Sequence, residues 1–87
     1  MTQGFDDIAD TIRRMVARET QLTLADMTDD FRWIDHATAE DIGWFLGEIE
    51  RHFVSPALFS GNPDIAHVAT VGQLIRYVET TLRRRAS

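Results

Sequence analysis

Three serines, three histidines and a surplus of carboxylates supply most of what this chain offers for covalent or acid–base chemistry. Ser55, Ser60 and Ser87 do not sit in the strand-to-helix elbow that exposes a nucleophilic serine. His36, His52 and His67 share no metal-ligand spacing with one another. Asp35 and His36 are adjacent and could be read as a metal or proton-transfer pair, but two neighbours without a third group make a poor site, and a solvated loop-end pair is the better reading. There is no cysteine for a thiolate or a disulfide, and all nine cations are arginine, which removes the amine of Schiff-base chemistry. These residues predict a protein that is not an enzyme and holds no metal.

Other work needs a surface, and helices must position it. From Thr38 to Phe53 the apolar residues Ile42, Phe45, Leu46, Ile49 and Phe53 recur at steps of 3, 4, 7 and 11, one stripe of a helix. At about 100° per residue, Glu40, Trp44, Gly47, Glu48 and Arg51 point away from that stripe. One face therefore builds a core and the other can meet partners. Thr38 is placed to cap this helix, with Asp41 reaching back three residues on, a weaker form of the capping box. Gly43 and Gly47 interrupt the interior, each costing roughly 1 kcal/mol relative to alanine. Their spacing of four either admits a close neighbour or is accidental tolerance, and the sequence leaves both open.

An earlier helix is predicted from about Asp6 to Thr20, with Ile8, Ile12, Met15 and Val16 at helical spacing, acids first and Arg13, Arg14 and Arg18 later, as the helix dipole favours. The next stretch holds Leu22, Leu24, Met27, Phe31, Trp33 and Ile34 without a sustained period. It reads as a long ordered loop whose apolar residues plug the end of the bundle. Ser55 and Pro56 favour a short helix over about Pro56–Ser60, broken by Gly61, Asn62 and Pro63. Thr70 and Gln73 form a full capping box ahead of Val71, Leu74, Ile75, Val78 and Leu82, and this last helix should run to about Arg83. No segment alternates with period 2. The expected fold is all-α: one domain over residues 1–87, with three main helices, a short one and a long first loop.

Charge is unevenly spread. Residues 1–50 carry twelve carboxylates against four arginines, a net of −8, and residues 51–87 carry a net of +3. The acidic half would repel a phosphate backbone and suits basic partner surfaces, unless it is merely a solvated surface. Arg83, Arg84 and Arg85 read better as a solvated helix end than as a nucleic-acid patch. No apolar run is long enough to span a bilayer, no basic amphipathic helix favours a membrane surface, and no export leader is visible, so the expectation is a soluble, cytoplasmic protein.

The order of these elements, a central helix closing in Glu48–Phe53, EIERHF, and the final Ala69–Glu79, ATVGQLIRYVE, resemble the acyl carrier proteins and the related carrier domains of polyketide and peptide synthases. The resemblance covers about Ile8 to Leu82. It implies that the central helix should begin at Asp-Ser-Leu, whose serine is esterified to a phosphopantetheine arm. Counted back from Phe53, with Phe31 kept aligned in the loop, those positions are Thr38, Ala39 and Glu40.

Alanine at the serine position has no oxygen to take the phosphate, and the Thr38 hydroxyl is better used as the cap. Glu40 replaces an apolar residue that, by the resemblance, meets the priming enzyme. Two explanations are open. A deliberate change of serine to Ala39 would leave a genuine carrier, which would hold phosphopantetheine were residue 39 serine; divergence accounts for Thr38 and Glu40 as well. The favoured expectation is a carrier-shaped module without a cofactor. It would dock through Glu40, Asp41, Trp44, Gly47, Glu48 and Arg51 onto enzymes of a fatty-acid, polyketide or related acyl-transfer pathway. Trp44 is the candidate anchor, if it is not folded against the long loop or the short helix. An apolar acyl chain between the helices is a further occupant that the resemblance raises.

Overall fold

The computed structural model describes residues 5–53, 58–59 and 65–86. Three α-helices carry the fold: α1 (Phe5–Thr20), α2 (Ala39–His52) and α3 (Val71–Ala86). Short 3₁₀ turns lie at Leu24–Asp26, Trp33–His36 and Ile65–His67, and among the described residues there is no strand, only an isolated bridge between Arg32 and Thr70. The all-α architecture with its long first connection is as expected. The last helix runs three residues past Arg83, and most of the expected short helix over 56–60 lies outside the described residues.

Each helix buries the stripe that its period marks. Ile12, Met15, Val16 and Ala17 of α1, Phe45 and Ile49 of α2, and Val71, Leu74, Ile75 and Val78 of α3 meet in one core. α1 and α3 pack most closely, whereas α2 sits further out and reaches the core through large side chains. Burial of these groups contributes about 1.5–3 kcal/mol for each large side chain.

α1 ends by a defined device. Gln21 adopts φ 60°, its N–H donates to the Arg18 carbonyl at 3.3 Å, and the Leu22 N–H donates to the Ala17 carbonyl at 3.0 Å. This is a Schellman closure with glutamine where glycine is usual. Beyond it, Leu22 and Leu24 are 36% and 42% exposed, so they do not plug the bundle: the Thr23–Asp26 turn closes on itself, Thr23 N–H and Oγ1–H both donating to Asp26 Oδ2, and needs no core contact. Met27 and Trp33 are the loop residues that enter the core, with Phe31 and Ile34 partly buried against it.

The same loop seals the start of α3. The N–H of Val71 donates to the Phe31 carbonyl at 2.9 Å and that of Gly72 to the Asp29 carbonyl at 3.0 Å. The Gln73 N–H donates to Thr70 Oγ1 while the Thr70 N–H donates to Gln73 Oε1, both at 3.1 Å, completing the expected box. Arg13 holds the loop from the other side, donating to the Met27 carbonyl and to Asp29 Oδ1. A Cβ on Gly72 would lie 2.9 Å from Asp29 Cβ and 3.0 Å from its carbonyl oxygen, so this glycine is what lets the loop backbone reach the helix.

Trp33 ties the parts together. Its ring is 1% exposed, packs 5.3 Å from Phe45 of α2, and donates Nε1–H to the Val68 carbonyl at 2.6 Å. Leu58 and Phe59 are buried too: the Phe59 N–H donates to Glu50 Oε2 at 2.9 Å, and Phe59 stacks on Tyr77, whose hydroxyl donates to the Leu58 carbonyl. Among the described residues no fully buried side-chain polar atom is left without a partner.

Candidate functional site

α2 begins at Ala39, with Thr38 as its N-cap. Thr38 Oγ1 accepts from the Asp41 N–H at 3.1 Å, so the hydroxyl nearest the helix start is committed to the cap. Ala39, Glu40 and Asp41 are all exposed there. A methyl group on an open first turn offers no bond to a phosphate ester, so these residues do not fit a phosphopantetheine arm.

Asp35 and His36, just before this start, do not act on one another. Asp35 accepts from Arg32 Nε at 3.1 Å, while the His36 ring lies 5.0 Å from that of Phe31. Among the described residues no three of His, Cys, Asp and Glu gather as a metal site would require.

Along the outer face of α2 the structure brings the sequence-selected residues together. Glu40 and Asp41 stand at its first turn, Trp44 is 57% exposed at its middle, and Arg51 is exposed at its end. Trp44 is therefore not folded under the loop. Glu48 is partly covered and bonded to Arg51, and Glu50 accepts from Phe59, so two of the four carboxylates of α2 already have partners. Among the described residues nothing lies within 4 Å of where a Cβ would sit on Gly43 or Gly47, so no described segment exploits their smallness.

Two hollows flank this face on the α1 side. One, of about 300 Å³, is lined by Met15, Arg18, Glu19, Trp44, Phe45 and Glu48. The other, of about 450 Å³, is lined by Thr11, Arg14, Met15, Arg18 and His52. Sequence reasoning placed Arg14 and Arg18 only as helix-dipole partners and weighed His52 only as a metal ligand without matching spacing, because the approach of α1 to His52 depends on how the two helices lie together.

None of the known protein families, curated proteins or solved structures matches the chain.

The site thus consists of one exposed helix face, acidic at its first turn, aromatic in the middle and of mixed charge at its end. It can present shape and charge.

Proposed function

We propose that this chain is a non-enzymatic, carrier-shaped docking module that meets enzymes of an acyl-transfer pathway, of the fatty-acid or polyketide kind, through the outer face of α2. Ala39 carries the reading. It is the first residue of α2 and exposed, where the resemblance puts an arm-bearing serine. The Thr-Val-Gly entry to the last helix supports the carrier shape, since Thr70 caps, Val71 is buried and Gly72 admits the loop backbone. Trp44 supports docking: an aromatic ring kept in water costs solubility and is the residue type that anchors interfaces.

Incubation with coenzyme A and a broad-specificity phosphopantetheinyl transferase, read by intact mass, tests the absent arm. The wild type should stay unmodified, and Ala39→Ser should be modified poorly because Glu40 remains beside it. Clean, fast modification of Ala39→Ser would favour a genuine carrier whose serine was replaced. A pull-down compared with Trp44→Ala tests docking: acyl-transfer enzymes should be captured by the wild type and lost with the variant. Capture of such enzymes at equal yield by Trp44→Ala would remove α2 as the docking face.

A further inference from the structure

The outer stripe of α2 has the same spacing read in either direction. Glu40, Trp44, Gly47 and Arg51 follow one another at steps of 4, 3 and 4, which keeps them on a single seam of the helix. Laid antiparallel against a second copy of itself, this seam sets each Trp44 opposite the other copy's Gly47 and each Glu40 opposite the other copy's Arg51. A two-fold axis makes every such contact twice.

Size and charge fit that arrangement. Trp44 is 57% exposed, and among the described residues nothing lies within 4 Å of where a Cβ on Gly47 would sit. A bulky ring on one helix therefore faces bare backbone on the other, and the two helices can approach until the ring is covered. Glu40 is exposed at the first turn, and the Arg51 side chain is 66% exposed at the last. Opposite signs at the two ends of one seam complement an antiparallel copy, whereas a parallel copy would set Glu40 on Glu40 and Trp44 on Trp44. Arg51 holds Glu48 of its own helix through one amino group, which leaves its other donors to face the second copy. Antiparallel packing also sets the positive end of each helix dipole beside the negative end of the other.

We propose that the chain forms a symmetric antiparallel dimer through α2, with Trp44 of each copy seated over Gly47 of the other and Glu40 paired with Arg51. α2 has 14 residues and is about 21 Å long, so the contact lies at the small, transient end of protein interfaces. Asp41 and Glu48 beside the seam and the net charge of −5 on each copy oppose association. The dimer is therefore weak, with a Kd on the order of 100 μM. It covers the face through which an enzyme would dock, so dimer and docked states exclude one another, but it does not rest on the carrier reading.

Sedimentation equilibrium of the full chain from about 10 μM to about 1 mM, with NMR of the indole N–H groups, tests the dimer. The wild type should fit a monomer–dimer equilibrium, and the Trp44 indole should shift with concentration while the buried Trp33 indole stays in place. Glu40→Arg and Arg51→Glu, each shown to be folded by circular dichroism, should each weaken the dimer about tenfold or more, because each creates two like-charge contacts. Combining the two restores opposite signs at unchanged net charge and should recover the affinity to within about threefold of the wild type. Gly47→Gln should weaken the dimer about tenfold by filling the seat of the ring, while leaving the monomer at least as stable. A wild type that stays monomeric throughout, a double variant no tighter than the single ones, or an unchanged Kd in Gly47→Gln would each overturn the proposal. A monomer that captures an acyl-transfer enzyme through Trp44 would overturn the dimer and leave the docking role standing. A dimer with the expected variant pattern that captures no such enzyme would support the pairing and count against docking.

Discussion

The starts of α2 and α3 are built from the same local signal and end in opposite situations. Both follow a threonine whose hydroxyl accepts from the N–H three residues on, at 3.1 Å in each case. At α3, loop carbonyls take up the next amides, the carboxamide of Gln73 returns to the cap, and Asp29 lies against the first turn where Gly72 makes room. At α2, Ala39, Glu40 and Asp41 stand open to solvent. A cap therefore says where a helix begins and nothing about whether that beginning is structural or available. What decides is whether another segment of chain returns to cover it.

Side chains sharpen this contrast most strongly at the two tryptophans. Trp33→Ala should cost about 3–5 kcal/mol by emptying the junction of the loop, α2 and the segment at Val68. Trp44→Ala should change stability by no more than about 0.5 kcal/mol, as expected of an exposed position. Denaturant unfolding of both variants measures the difference; similar losses would mean that Trp44 is a core residue and that the outer face of α2 is not free.

Glycines give the next largest effects, with opposite signs at the two helices. Gly72→Ala should destabilise by roughly 1–3 kcal/mol, because its methyl meets Asp29 backbone rather than a flexible side-chain tip. Gly43→Ala and Gly47→Ala should each stabilise by up to about 1 kcal/mol, since their Cβ atoms enter open space. Thermal melts report these as shifts of about 4–8 °C per kcal/mol in a domain of this size. Stabilised Gly43→Ala and Gly47→Ala variants that also lose partner binding would show that the flat helix face serves a partner.

A smaller effect is expected at the end of α1, which resembles the covered start of α3 in being closed by hydrogen bonds. Gln21→Gly should stabilise by roughly 0.5–1 kcal/mol by relieving a left-handed backbone at a residue with a side chain. An unchanged or lowered melting temperature would mean that the gain is cancelled by greater freedom of the unfolded chain.

Helix positions were legible because they depend on near neighbours. The apolar steps in Ile42–Phe53 and in Val71–Leu82 correspond to a turn of 3.6 residues, and the residues they mark are buried or partly buried. The long loop was legible only as a loop. Its apolar residues divide into Met27 and Trp33 inside and Leu22 and Leu24 outside, and no period separates the two sets. The outer face of α2 could be drawn from angles alone, yet the commitments of Glu48 to Arg51 and Glu50 to Phe59 could be seen only once the side chains were in place.

Composition and periodicity by themselves determined where three amphipathic helices form, because helix formation depends on residue identity and short spacing. Tertiary structure decided which tryptophan is core and which is surface, why Gly72 but neither Gly43 nor Gly47 is sterically required, and that Arg14, Arg18 and His52 border one groove. Each of these depends on what a distant segment places opposite the residue, and close packing of segments far apart in the chain leaves no local signature.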